Sequence, residues 1–199
     1  MYGMIFDFLR EYVEERHGGR ETWNALLKAN HKEYKIYFPS IEYPDREIVA
    51  LAVTAANTLR LPLSAVLEDF GAFLATRLLS FYHMYINNDR WRSFEVIENA
   101  GGCIHHAINR HNPNRKPPKL ITNRDAEGLM LLQYQSHRKL CHVVKGIVRG
   151  LGDHFHEKIT ITETQCMLDG ADSCIMHLER QEISRPTKKS RQPVGEAVN

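Results

Sequence analysis

The sequence predicts an α+β protein, with a helical N-terminal lobe and a mixed C-terminal lobe built on an antiparallel sheet. In the first half, apolar residues recur at three- and four-residue spacing, which is typical of amphipathic helices. In the second half, short apolar runs alternate with turn-forming stretches, which is typical of strands. A chain of 199 residues is long enough for one domain, which we place at residues 1–183, with a ligand between its two lobes.

Four helices are predicted in the first half of the chain from their apolar spacing. They run from Ile5 to the Gly18-Gly19 pair, over residues 21–29, from Pro44-Asp45 to Leu59, and from Ser64 through Leu78. Ser64 is the expected N-cap of the fourth helix, because a serine hydroxyl accepts a hydrogen bond from a free backbone N–H at a helix start.

A fifth helix is expected to begin near Ser93 and to end before the Pro117-Pro118 pair, because adjacent prolines exclude helix. After it, the pattern predicts a strand over 129–134, a helix over 140–150, and strands over 158–166 and 173–179. A turn-rich stretch at residues 169–172 separates the last two strands. Residues 184–199 predict a disordered basic tail.

Charge and hydropathy exclude several classes of protein. The net charge of +2 comes from the tail, where four Lys/Arg face one Glu, so residues 1–183 carry 22 basic and 23 acidic residues. This balance does not predict nucleic-acid binding. No apolar run approaches the roughly 20 residues that span a membrane. Charged residues occupy the first turns, where a signal peptide would be apolar, so we expect a cytosolic protein.

One group of polar residues suggests a site for an acid. Tyr134, Ser136 and Arg138 alternate along the chain, and alternate side chains of a strand point to one face. A phenol, a hydroxyl and a guanidinium on one face are suited to binding one or two carboxylates. The alternative without a bound ligand is that Arg138 only forms an ion pair with an acidic neighbour such as Asp45 at the surface.

A histidine upstream suggests what that acid is. Ile97, Gly101, Ile104, His105 and Ile108 follow helical spacing, and Gly101 leaves room beside the imidazole for a flat group. A histidine on an apolar helix face, together with a carboxylate-binding strand, predicts haem, because the histidine can ligate the iron and the strand can hold the propionates. Taken alone, such a histidine is more often structural. His106 and His111 are the competing ligands, but His106 points roughly 100° away around the helix and should not reach the same iron.

These residues resemble the H-NOX family of haem nitric oxide/oxygen-binding domains, in particular its stand-alone bacterial members. The similarity rests on His105, the Pro117-Pro118 pair and the Tyr134-x-Ser136-x-Arg138 motif, in that order. It continues at Met1-Tyr2-Gly3-Met4-Ile5, Trp23, Phe70-Gly71, Gly150-Leu151-Gly152 and Phe155.

The resemblance implies a haem b group bound to His105 and distorted by Pro118, in a chain that is not itself an enzyme. It implies that Asp45 contacts Arg138. It also implies apolar pocket positions at Ile5, Leu9, Leu74, Leu78 and Val144.

The resemblance also implies what the haem binds. Family members that hold oxygen stably carry a tyrosine on the helix after the motif, where this chain reads Leu140-Cys141-His142-Val143-Val144. We therefore expect nitric oxide and carbon monoxide binding without a stable oxygen complex. His142 is the open point, since an imidazole turned inward could donate a hydrogen bond or ligate the iron. The implied partner is a histidine kinase or a cyclic-di-GMP enzyme.

Three of the four cysteines form a second candidate site. Cys166 and Cys174 flank the connection between the last two strands, and Cys141 begins the preceding helix. Zinc on three cysteines is one interpretation, with Glu163, His154, His156 or His177 as fourth ligand. Some bacterial H-NOX proteins carry zinc on three cysteines and a histidine, and Glu163 stands at that histidine's place. Three buried cysteines without metal are the alternative.

Two rival functions compete with haem binding. A zinc hydrolase needs an open metal position and a nearby base, but the eleven histidines form no His-Glu-x-x-His motif. A zinc-binding interaction module without gas sensing would explain the tail but not the Tyr134, Ser136 and Arg138 group.

Overall fold

Helices form the N-terminal lobe, and a sheet with one long helix forms most of the C-terminal lobe. The structure is a computed structural model that describes residues 1–83, 88, 90–100, 117–125 and 127–183. In the N-terminal lobe, α1 spans Gly3–Arg16, α2 Gly19–Ala29, α3 Asp45–Leu59 and α4 Leu63–Phe81. Ser64 is not the N-cap of α4, because the helix already begins at Leu63 behind Pro62 and no side chain caps it.

The C-terminal lobe follows a short helix, α5, at Ser93–Asn99. Its elements are β1 at Lys119–Arg124, β2 at Met130–Gln135, α6 at Cys141–Phe155, β3 at Glu157–Gln165 and β4 at Cys174–Glu182. The strands lie in the order β1-β2-β4-β3, and every neighbouring pair is antiparallel. The predicted α+β fold with an antiparallel sheet is thus confirmed.

Strand β1 is the element that the sequence pattern missed. Its residues alternate between exposed and half-buried, and none is buried. Its sequence, Lys-Leu-Ile-Thr-Asn-Arg, places its two apolar residues side by side, so it has no apolar alternation. It is an edge strand of the described sheet and pairs with β2 alone, so its other edge faces no strand.

Two apolar clusters fill the lobes. In the N-terminal lobe the largest buried side chains come from α1, α2, α3 and α4, and include Phe6, Tyr12, Trp23, Leu51 and Phe70. Beneath the sheet, alternate residues of β2 and β4 point to one face and pack against α5 and α6; they include Met130, Leu132, Met176 and Leu178. This period-two pattern explains why both strands were recognisable from sequence.

Helices α4 and α6 join the two lobes at backbone distance. A Cβ atom added to Gly146 would meet the Glu68 carbonyl and lie 2.8 Å from Gly71 Cα. A Cβ on Gly150 would lie 2.5 Å from the Ala72 carbonyl oxygen. These glycines therefore allow an approach that no larger residue permits.

Within the described ranges, no single helix is long and apolar enough to cross a membrane. Helices α3 and α4 satisfy the length and composition test only when counted together, and they are bent by 111° at their junction.

Candidate functional site: a cavity between the lobes

A cavity of about 990 Å³ lies between the helical lobe and the sheet. Residues from α1, α3, α4, α6 and the strands β1 and β2 line it, and most of the lining is apolar. The structure brings together all the predicted cofactor contacts in its described part: Ile5, Leu9, Leu74, Leu78, Pro118, Tyr134, Ser136, Arg138 and Val144. This volume suits a large flat ligand.

Further lining residues were not predicted as pocket positions. They include Leu67, Phe70, Val143, Ile147 and Leu120. Phe70 and Ile147 lie one turn from the predicted Leu74 and Val144, and Leu67 lies two turns from Leu74, so helical periodicity could have found these three. Leu120 lies on the missed strand β1.

The polar end of the cavity is a turn and not a strand. The alternation of Tyr134, Ser136 and Arg138 requires the strand predicted over 129–134 to continue to Arg138, but β2 ends at Gln135 and Lys139 has a φ of 49°. The physical reason is pairing: β4 begins opposite Tyr134 and β1 begins opposite Gln135, so residues beyond them have no neighbouring strand. The turn nevertheless brings the side chains of Ser136 and Arg138 to the cavity.

Tyr134 is the buried member of this polar group, with 2% of its surface exposed. Its hydroxyl oxygen accepts a hydrogen bond from the Leu140 N–H at 3.3 Å. Burial raises the pKa of the phenol, and its hydrogen bonds with Ser136 and Leu140 only partly oppose this. The phenol is therefore neutral and keeps its proton as a donor.

Arg138 is held by an ion pair at the cavity rim. Its Nε lies 2.9 Å from Oδ2 of Asp45, and 15% of its side chain is exposed. The His137 Nε2 atom lies 3.1 Å from the same oxygen, and the Met1 amino group donates to Oδ1 at 2.7 Å. Burial acts to raise the pKa of Asp45, but the Met1 amino group and Arg138 outweigh it and lower the pKa to about 2. Arg138 thus both pairs with Asp45 and lines the cavity.

His142 lies on the α6 wall of the cavity. Its Nδ1 atom is 3.0 Å from Oε1 of Glu68 on α4, and Glu68 also contacts the guanidinium of Arg149. Burial acts to raise the pKa of Glu68, but these two partners outweigh it and lower the pKa. Sequence reasoning named His142 but had no signal for its contact with Glu68, which is 74 residues away.

Cys141, Cys166 and Cys174 meet in the second candidate site. The Sγ atoms of Cys141 and Cys174 are 3.0 Å apart, and both lie 3.9 Å from Sγ of Cys166. All three are buried, and burial raises the pKa of Cys141 and of Cys174. Tetrahedral zinc, with Zn–S of about 2.3 Å, requires sulfurs about 3.8 Å apart. The two distances to Cys166 match this spacing, whereas Cys141 and Cys174 are closer together than a bound ion would hold them.

A fourth ligand is not in place. Among the described residues, neither a histidine nor a carboxylate joins the three thiols, which leaves His154, His156 and His177 outside the group. The Oε2 atom of Glu163 accepts a hydrogen bond from Lys145 at 2.7 Å. Its Oε1 atom is buried without a hydrogen-bond partner in the part of the chain that the structure describes.

Two predicted features lie outside the described residues. The iron ligand His105 falls within the range 101–116, and the basic tail is the range 184–199. Both stay predictions. The prolines that follow the first range, Pro117 and Pro118, are described and line the cavity.

Comparison with known proteins decides which family this architecture represents. A family model described as Haem-NO-binding matches residues 2–163. The chain belongs to this family, the H-NOX family. The resemblance drawn from the sequence motifs is thereby confirmed. H-NOX domains bind haem and sense gases, and they are generally not catalytic themselves.

The curated relatives are longer proteins. Soluble guanylate cyclase gcy-35 of Caenorhabditis elegans is 22% identical over 169 residues, which cover 83% of this chain and 24% of the cyclase. Soluble guanylate cyclase gcy-31 of the same organism is 20% identical over 164 residues, covering 82% and 23%. The chain thus spans about a quarter of the length of these relatives.

Solved structures of H-NOX proteins have a similar fold. An H-NOX protein from S. oneidensis in the Fe(II)NO ligation state is 27% identical with a TM-score of 0.84, and the match covers 92% of this chain and all of that one (100%). An Fe(II) unliganded H-NOX protein from K. algicida is 17% identical, with a TM-score of 0.77 and coverage of 94% and 100%. The second likeness concerns the fold alone.

Proposed function

We propose that this chain is a haem-based gas sensor that binds nitric oxide and carbon monoxide, forms no stable oxygen complex, and signals to a separate protein. The observation that carries this proposal is the cavity of about 990 Å³, apolar along its helices and polar at the Tyr134, Ser136 and Arg138 end. The donor set fits haem b, since its apolar ring and its two carboxylates need these two environments.

Different residues of the chain would bind the propionates, the ring and the iron of the haem. Tyr134 and Ser136 would donate hydrogen bonds to the propionates, and Arg138 would add a charge-assisted bond while staying paired with Asp45. Pro118 and the apolar side chains of α1, α4 and α6 would contact the ring. His105 would supply the iron ligand, and ferrous haem supplies an open position for a diatomic gas.

Gas selectivity would depend on the hydrogen-bond donors that the helices present to the cavity. The first turn of α6 contributes His142, Val143 and Val144 to the cavity and no tyrosine. Tyr12 also lines the cavity, but its hydroxyl donates to Oδ2 of Asp69 at 2.7 Å. Oxygen bound to iron needs a hydrogen-bond donor, whereas nitric oxide and carbon monoxide do not.

The signal would start at the iron ligand. By family resemblance, His105 would tether the haem and Pro118 would contact its ring, the iron would supply the nitric oxide site, and loss of the His105 tether would let the two lobes shift. The receiver would be a histidine kinase or a cyclic-di-GMP enzyme. The relatedness to soluble guanylate cyclases supports an output in signalling.

A structural zinc ion completes the proposal. Cys141, Cys166 and Cys174 would bind it as thiolates, and Glu163 would ligate through Oε1 while Oε2 stays bonded to Lys145. Residues 1–183 would form the sensor domain and 184–199 a basic tail. The protein would act in the cytoplasm without nucleic-acid or membrane partners.

Spectra of the reduced protein under each gas test this function. We expect a Soret band that shifts with nitric oxide and with carbon monoxide, and no lasting oxygen complex in air. His105→Gly should lose haem or regain a five-coordinate spectrum only with added imidazole, whereas His111→Gly should behave like the wild type. An unchanged ferrous spectrum in His105→Gly, or a long-lived oxygen complex, would refute the corresponding part of the proposal.

A further inference from the structure

Glu68 and His142 form a polar pair at the cavity wall that the family assignment does not explain. His142 lines the cavity, and its Nδ1 atom lies 3.0 Å from Oε1 of Glu68. Nδ1 is therefore engaged with a protein group. Only the other ring nitrogen, Nε2, is left for a molecule inside the cavity.

The charge of Glu68 decides which nitrogen of His142 carries the proton. Its two partners hold the carboxyl in its ionised form, and an ionised carboxylate can only accept hydrogen bonds. The contact with His142 at 3.0 Å therefore requires a proton on Nδ1. In the neutral ring Nε2 then has a lone pair and no proton.

The backbone keeps this carboxylate in place. The Glu68 carbonyl packs against Gly146, at the point where α4 and α6 approach at backbone distance. Arg149, two turns along α6 from His142, contacts the same carboxylate. Glu68 is thus fixed from the backbone and from both helices, so its acceptor oxygen stays beside Nδ1.

We infer that Glu68 is a positioning residue for gas selectivity, because in the neutral imidazole it fixes the His142 tautomer that turns a hydrogen-bond acceptor, and no donor, to the cavity. This inference rests on the proposed haem function. Oxygen on ferrous iron draws negative charge and is stabilised by a donor, whereas the Nε2 lone pair repels it. Carbon monoxide and nitric oxide carry much less charge and are less affected. Glu68 would thereby prevent His142 from replacing the absent tyrosine.

Nitrogen NMR measures the tautomer directly. Protein labelled with ¹⁵N-histidine would be studied as the ferrous carbon monoxide complex, with His142→Ala to identify the signal. We expect Nδ1 protonated and Nε2 unprotonated in the wild type. Glu68→Ala should produce the Nε2-protonated form, while the matched variant Asp153→Ala, which removes an exposed carboxylate of α6, should keep the wild-type tautomer.

The carbon monoxide stretch reports what the tautomer does. We expect Glu68→Ala to lower the C–O stretching frequency, since a new Nε2–H donor faces the gas, and to prolong the oxygen complex. Asp153→Ala should leave both unchanged. A protonated Nε2 in the wild type, or a Glu68→Ala variant with an unchanged tautomer or an unchanged stretch, would overturn the inference.

The two proposals fail in different ways. If the protein binds no haem, the Soret band is absent, and the gas sensor proposal fails. The ¹⁵N spectrum of the haem-free protein still shows whether Glu68 fixes the tautomer, so the wild-type measurement tests the inference even if Glu68→Ala does not fold.

Discussion

At the residue scale, Arg138 links the cavity to the protein surface. Its Nε is bonded to Asp45 at the start of α3, and the side chain also lines the cavity. Sequence reasoning found Tyr134, Ser136 and Arg138 through strand alternation, although the last two lie in a turn. Their chemistry was visible from residue type alone, whereas the end of the strand depends on where β1 and β4 begin.

Replacing Arg138 should weaken haem binding. Each charge-assisted hydrogen bond to a propionate contributes about 1.5 to 3 kcal/mol, so Arg138→Ala should lower haem affinity by about 10- to 100-fold. Haemin titration followed by absorbance measures this. Arg10→Ala is the matched control, because Arg10 pairs with Asp7 and Glu14 on α1. Equal affinity in the two variants would leave Arg138 as a surface ion pair only.

Asp45 should contribute acid-sensitive stability. Its pKa is lowered from 3.8 to about 2 in the folded protein, so the ionised form is stabilised by folding. The contribution is fully present above 3.8 and is lost as the pH falls toward about 2. Urea unfolding should therefore show the wild type losing its advantage over Asp45→Asn across this range. Because Glu47 and Glu68 also have lowered pKa values, the difference between the two proteins is the quantity to follow. A constant difference would contradict this role.

At the element scale, the contact between α4 and α6 positions the cavity walls. Both helices were predicted, since each has an apolar stripe, but their backbone contact was not. Gly71, Gly146 and Gly150 gave no signal by themselves, because a glycine in a helix does not reveal what packs against it. The same limit applies to Glu68 and His142, whose contact exists only because these helices meet.

Adding a methyl group at this contact should destabilise the protein. The new Cβ of Gly146→Ala would meet the Glu68 carbonyl and Gly71 Cα, which are backbone atoms that cannot rotate away. Overpacking of this kind costs about 1 to 3 kcal/mol. Chemical denaturation should show that loss, whereas Asp153→Ala on the exposed face of α6 should stay close to the wild type. An unaffected Gly146→Ala would mean that the helices separate easily.

Zinc should stabilise the C-terminal lobe. Cys141 begins α6, Cys166 follows β3 and Cys174 begins β4, so one ion would join three elements. Elemental analysis should find about one zinc per chain. Chelation should lower the stability of this lobe before haem is lost. Glu163→Ala should weaken retention of the metal more than the exposed-site control Glu179→Ala. Metal-free protein of full stability would favour three buried cysteines.

At the scale of the whole molecule, two lobes with separate apolar cores enclose one cavity. The sequence was sufficient for the lobes and for the chemistry of the cavity lining, because periodicity and residue type are local properties. It was not sufficient for the edge strand β1 or for the position of Glu163 beside Lys145, because these depend on distant segments. Selectivity among gases would depend on the whole molecule, because α1, α4, α6 and the turn at Arg138 all line the same cavity.

Haem binding to the purified wild-type protein tests the central claim most directly. Titration of the protein with haemin, followed by reduction and absorption spectroscopy, should saturate at about one haem per chain and give a Soret band of a ferrous haem with a histidine ligand. Carbon monoxide and nitric oxide should each shift that band. A titration without saturation, or a spectrum identical to that of free haem, would contradict the account of the cavity as a haem site.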